Sequence, residues 1–177
     1  IMKNLNKKLD INLDNCYTLI DTSILSYVHS LTLFNCVNII DVSSLGSLYK
    51  LNLSDWYSIK NVKSLGLIHE LNLSSCFGVK DVSMLKSVHT LNLSNCTNVK
   101  DISMLTSVHT LDVTNCRNIK DIGNLRKLKV LAMTWKIKGI HLMKELTKLV
   151  TYNKNKIMDL YIQKLKKINP GVKIIYI

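Results

Sequence analysis

No apolar run in this sequence approaches the roughly eighteen residues that a membrane-spanning helix needs, although 47% of its 177 residues are hydrophobic. Glycine-rich phosphate loops, CxxC pairs, HExxH and G-x-S-x-G are all missing. The common signatures of nucleotide, redox, zinc and acyl-transfer chemistry are therefore absent. Arginine occurs only as Arg117 and Arg126, and aromatics make up 6% of the chain. That scarcity argues against sequence-specific reading of nucleic acid, which needs base-edge donors and stacking rings. The first ten residues, IMKNLNKKLD, are lysine-rich without the apolar stretch of a secretory signal.

What the chain does have is a period of twenty. The unit Leu91 to Thr110, LNLSNCTNVKDISMLTSVHT, nearly repeats LNLSSCFGVKDVSMLKSVHT from Leu71. Sliding by twenty gives further copies from Ile11, Leu31, Leu51 and Leu111. A fixed period of this length marks a repeat array. In the fifth unit the apolar positions are Val88, Leu91, Leu93, Cys96, Val99, Ile102 and Leu105. The Leu-x-Leu alternation predicts a short strand with one face buried, and places Thr90, Asn92 and Ser94 outward. Twenty residues leave no room for a long helix on the return side, so a short 3₁₀ segment is expected there. Asp101 and Ser103 supply its capping chemistry. No unit can bury its leucines alone; the coils stack, and their strands join in one parallel sheet.

The motif V-x-x-L-x-L-x-x-C-x-x-V/I resembles the leucine-rich repeat signature. Its continuation I-x-D-V-S-x-L resembles the short repeats of bacterial internalins, which are about two residues longer and usually carry Asn at the Cys position. The wording is also similar to leucine-rich repeat proteins of giant DNA viruses of amoebae. The resemblance covers residues 11 to about 150. It implies an α/β fold: a right-handed solenoid with a parallel sheet on the concave face and 3₁₀ or turn segments on the convex face. It also implies a non-enzymatic scaffold for protein recognition, without a cofactor.

Residues 1–10 read as the tail of a preceding repeat, with Met2 and Leu5 at apolar offsets, and 11–150 as the repeats. Without a polar cap, Ile11 to Leu13 would form an open parallel edge. A missing upstream segment is the first expectation, and edge-to-edge pairing the second. From Leu131 the spacing slips, with Leu146 and Leu149 one residue late. Residues 151–177 read as a C-terminal cap. Ile157, Tyr161, Leu165 and Ile168 are spaced for one helix face, Asn169-Pro170-Gly171 stops the helix, and Val172 to Ile177 closes as a strand.

The net charge of +12 is uneven. Residues 1–125 carry eleven basic and ten acidic side chains, whereas 126–177 carry thirteen and two. Lys154, Lys156, Lys164, Lys166, Lys167 and Lys173 make a positive patch suited to nonspecific contact with phosphate backbones or acidic surfaces. Lys60, Lys80, Lys100 and Lys120 stand beside Asp81, Asp101 and Asp121 and read as a solvated flank of opposite charges.

Cys16, Cys36, Cys76, Cys96 and Cys116 all hold the sixth place of a unit. An odd number locked to the period reads as a structural column of reduced thiols. Asn52, Asn72 and Asn92 each begin a glycosylation sequon inside a predicted strand, so both features favour an intracellular, cytoplasmic setting. His29, His69, His89 and His109 form another column, with Tyr49 filling the gap. A flat imidazole row does not converge on zinc in the tetrahedral way, so a half-buried ladder is expected and no metal. Seven extended residues separate Cys96 from His89, on the order of 20 Å, too far for a catalytic dyad.

The outward column Asn52, Asn72, Asn92 and Asp112, flanked by Ser54, Ser74, Ser94 and Phe34, is the candidate partner surface. The competing reading is an asparagine ladder bonded to itself. Trp56 stands where the other units have Cys. It either repacks the turn locally or lies outward beside Tyr57 as a contact anchor.

Overall fold

The structure, a computed structural model, describes residues 9–39, 41–152 and 154–177. Met2 and Leu5 lie outside these residues. The described residues form one nine-stranded parallel sheet with strands in chain order. The first six strands are three residues long: β1 Asp10–Asn12, β2 Ser30–Thr32, β3 Lys50–Asn52, β4 Glu70–Asn72, β5 Thr90–Asn92 and β6 Thr110–Asp112. Then follow β7 Val130–Met133, β8 Lys148–Thr151, helix α1 Lys156–Ile168 and β9 Lys173–Tyr176. Leucine stacks on leucine in register, Leu31 on Leu51, Leu51 on Leu71 and Leu71 on Leu91. Each is almost wholly buried, which removes about 1.5–3 kcal/mol of apolar exposure per side chain.

Three residues beyond each of the first six strands the chain passes through the left-handed region: Asn15, Asn35, Asp55, Ser75, Asn95 and Asn115 all have φ between 56° and 63°. Asn and Asp tolerate this backbone because their short polar side chains bond locally. The left-handed residue turns the chain off the sheet while its own N–H still bonds the next coil, as from Asn95 to Thr114 O at 2.8 Å. The return side then differs between coils. Ser23–Leu25, Ser43–Leu45 and Lys63–Leu67 are 3₁₀ helices. The coils after Val82, Ile102 and Ile122 make separate single turns instead, as in Leu85 N–H to Val82 O and Val88 N–H to Leu85 O.

The slip after Leu131 is a shortening by two residues, not a delay by one. Leu149 pairs with Leu131 and Val150 with Ala132, so this coil is 18 residues long. Helix α1 starts at Asn155, whose side chain accepts the Met158 N–H. Its buried face is Met158, Tyr161, Ile162 and Leu165. Ile157 and Ile168, expected on that face, are exposed, because the helix is rotated so that Tyr161 reaches the Ile137 carbonyl. The helix and β9 close the end of the stack, with Leu149 against Ile174.

Candidate functional site

The sheet's outward face carries the Asn column, and its bonds run along the chain rather than across it. Asn52 Oδ1 accepts the Ser54 N–H at 3.0 Å, Asn72 Oδ1 the Ser74 N–H at 3.0 Å, and Asn92 Oδ1 the Ser94 N–H at 2.8 Å. Asp112 does the same for Thr114 at 2.8 Å. These side chains therefore shape the turn that leaves each strand, and the self-bonded ladder of amides does not form at this position. The inter-coil amide bonds occur three residues on: Asn35 Nδ2 donates to Asn15 Oδ1, and Asn115 Nδ2 to Asn95 Oδ1, both at 2.9 Å.

Thr32, Asn52, Asn72 and Asn92 line a shallow groove of about 270 Å³ on this face. Lys50 and Glu70 pair beside it at 3.2 Å. Phe34, Ser74, Ser94 and Asp112 are half-buried. Two expected contact residues are not available to a partner. Ser54 is 7% exposed and Trp56 is 1% exposed. Trp56 occupies the inward slot that Cys36, Cys76, Cys96 and Cys116 fill in the neighbouring coils, where the sixth place is buried in the core. Its indole Nε1 is buried without a hydrogen-bond partner.

Exposed rings lie one residue further along. Place seven of successive units holds Tyr17, Val37, Tyr57 and Phe77, all exposed, then Thr97 and Arg117. Tyr57 and Phe77 stack with centroids 5.4 Å apart, and the Arg117 guanidinium sits 4.6 Å over the ring of Trp135. The sequence carries this signal as the rings of Tyr17, Tyr57 and Phe77, each directly after the sixth place of its unit.

The thiol column is a bonded one. Cys36, Cys76, Cys96 and Cys116 donate to the carbonyls of Leu13, Leu53, Leu73 and Leu93 in the coil before, at 2.8–3.0 Å. Burial pushes Cys76, Cys96 and Cys116 up to about 12, and raises Cys36 as well. Cys16, in the first described coil, is only partly buried. The histidine column stacks with ring centroids 4.3–5.2 Å apart through Tyr49. Among the described residues no group of three His, Cys, Asp or Glu is placed to hold a metal ion.

The Lys–Asp flank is not a set of ion pairs. Asp21, Asp41, Asp81 and Asp101 each accept the backbone N–H of the serine two residues on, at 2.8–2.9 Å. These serines hold the carboxyls below their ordinary range, the backbone N–H leading at Asp21 and Asp101 and the hydroxyl at Asp41 and Asp81. In the cap, Lys154, Lys156, Lys164, Lys166 and Lys167 are exposed.

The repeat length, the three-residue parallel strands and the stacked leucines define a leucine-rich repeat solenoid. No protein-family model matches the sequence, and no curated protein is detectably similar to it. Among solved structures, the fold is similar to an internalin of Listeria monocytogenes, with a TM-score of 0.60 and 24% identity over 73% of this chain and 43% of that one. It is also similar to a leucine-rich repeat protein of Leptospira interrogans, with a TM-score of 0.51 and 19% identity over 99% of this chain and 56% of that one. The chain thus spans about half the length of the structures it matches. Among the described residues, no helix is long and apolar enough to cross a membrane.

Proposed function

We propose that the chain is a non-enzymatic protein-recognition module whose contact surface runs from the outward sheet face onto the adjoining rim. The observation that carries this reading is the exposed aromatic row of place seven, with Tyr57 56% and Phe77 40% exposed, continued by Trp135, 37% exposed beneath the Arg117 guanidinium. Tyr, Trp and Arg dominate binding hot spots because they bury large rigid area at little entropic cost. Phe34, Asn72, Ser74, Asn92, Ser94 and Asp112 extend the surface with adaptable polar groups, and Asn52 lines the groove beside them. The buried, reduced thiols support a cytosolic setting.

The test is affinity capture with three proteins: the unaltered chain, Tyr57→Ser/Phe77→Ser/Trp135→Ser, and a variant with Lys154, Lys156, Lys164, Lys166 and Lys167 changed to Gln. A defined protein partner held by the first and third but lost by the second supports the reading. Capture of nucleic acid alone, lost on neutralising the lysines, would replace it with nonspecific binding through the cap. A partner unaffected by the aromatic variant would rule out this rim.

A further inference from the structure

The shortened coil opens a cleft on the return side, away from the sheet. It encloses about 800 Å³ between the coil at Asp121, the coil at Lys138 and helix α1. Asp121 and Lys138 are in register through a parallel bridge, and Ile122 N–H bonds Lys138 O at 3.0 Å. The Tyr161 hydroxyl donates to the Ile137 carbonyl and fixes the helix at the cleft wall.

The register reverses the charge here. Place eleven of the preceding coils holds Asp21, Asp41, Asn61, Asp81, Asp101 and Asp121; the residue that follows in this column is Lys138. The cleft is lined by the cations Lys100, Lys120, Arg126, Lys136 and Lys138, against two carboxylates. Both carboxylates are engaged by their own turns, Asp101 by the Ser103 N–H at 2.8 Å and Asp121 by the Gly123 N–H at 2.7 Å. Among the described residues the one ion pair is Lys50–Glu70, so none of the five cations has a carboxylate within ion-pairing distance. Lys120 Nζ reaches the Arg117 carbonyl. The floor is apolar, from Ile122, Ile137 and Ile140.

We propose that this cleft binds a polyphosphorylated small molecule. Five cations against two carboxylates leave an excess of positive charge in the cleft, which a multiply charged anion neutralises. Lysine is a flexible point charge well suited to phosphate. The cations come from successive coils, so one negative group meets only part of the set while a chain of phosphates meets all of it. The volume falls within the roughly 300–1,000 Å³ of small-molecule sites. The apolar floor is placed to receive an uncharged body attached to the phosphates.

Isothermal titration with inorganic tripolyphosphate, with ATP and with adenosine tests the site. Both phosphate ligands bind the unaltered chain and adenosine alone does not. Equal affinity for the two assigns recognition to the phosphates, whereas tighter ATP binding adds the apolar floor. Lys120→Gln/Lys138→Gln, at exposed positions, loses at least about tenfold in affinity, as expected when two charge-assisted contacts go. Lys166→Gln/Lys167→Gln removes the same charge from α1 outside the cleft and retains binding. Circular dichroism confirms that both variants keep the fold. Absence of phosphate binding, or equal weakening in both variants, overturns the proposal.

Discussion

Cys96 Sγ lies 2.9 Å from the carbonyl oxygen of Leu73, one coil earlier, and that same oxygen accepts the Cys76 N–H at 3.1 Å. A thiol column that looks like simple packing is therefore also a row of inter-coil bonds to carbonyls at the end of each strand. The Leu73 and Leu93 carbonyls each carry two donors, the N–H of Cys76 or Cys96 from their own turn and a thiol from the next coil. Replacing Cys96 by Val keeps the apolar volume but removes the second donor. The expected loss is about 1 kcal/mol, read as a lower urea midpoint, and Cys96→Ser keeps a donor in place.

The same burial sets an alkaline limit. Cys76, Cys96 and Cys116 hold their protons up to about pH 12 in the folded chain, against about 9 when unfolded. A raised value stabilises the fold below pH 9 and loses that contribution as pH climbs toward 12. Urea midpoints fall across this window, and a triple Cys→Val variant flattens the decline. A thiol reagent at pH 8 labels the partly buried Cys16 first and the other four only on unfolding. Rapid native labelling of all five thiols would refute this arrangement.

Acid acts on the opposite side of the coil. Asp21, Asp41, Asp81 and Asp101 are held below their ordinary value of 3.8 by the serines that follow them. A depressed carboxyl contributes stability above that value and loses it as pH falls through the folded one. Unfolding curves shift to lower urea below about pH 4, as the depressed carboxyls take up protons. Changing all four to Asn, as nature has at Asn61, keeps an acceptor for each turn and weakens this pH dependence. An unchanged slope would mean that other carboxyls govern acid unfolding.

Ser75 is the one left-handed residue in its column that is neither Asn nor Asp, and Asn95 reaches its hydroxyl at only 3.4 Å. Ser75→Asn supplies a side chain suited to φ near 59° and restores the amide ladder toward Asn95. The expected gain is about 0.5–1 kcal/mol, of the size typical for consensus substitutions. In a chain of this length that raises Tm by about 1–4 °C. A drop in Tm would show that the coil tolerates Ser for another reason.

Trp56 gives the complementary case, a large side chain sealed in the core with no partner for its N–H. Trp56→Phe sacrifices no hydrogen bond and costs under about 1.5 kcal/mol. Trp56→Ala leaves a cavity and costs about 3–5 kcal/mol. Denaturant unfolding of the pair distinguishes a packed core residue from a surface anchor, for which both changes would be small.

Much of the fold was legible because a strict period repeats the same instruction. The Leu-x-Leu alternation, the Asp–Ser turn cap and the Cys column each recur often enough to be read without coordinates. The helix after Asn155 and the closing strand were readable from helical spacing and from Pro170. The contact surface was less legible. The expected Asn column serves the backbone of its own turns, while the exposed aromatics lie on the far side of a left-handed residue. Asn35, Asn95 and Asn115 at that bend differ from the neighbouring Asn column in φ and in bonding between coils, neither of which sequence spacing displays.

The sequence by itself determined the twenty-residue coil, its buried positions and the parallel register, because no other alignment stacks the Leu-x-Leu pairs of successive coils inward at once. Tertiary structure alone decided which way Trp56 points, which carbonyl each thiol meets and where the two-residue shortening opens a cationic cleft. Those outcomes depend on contacts between coils twenty residues apart, where small offsets in register and rotation choose the partner.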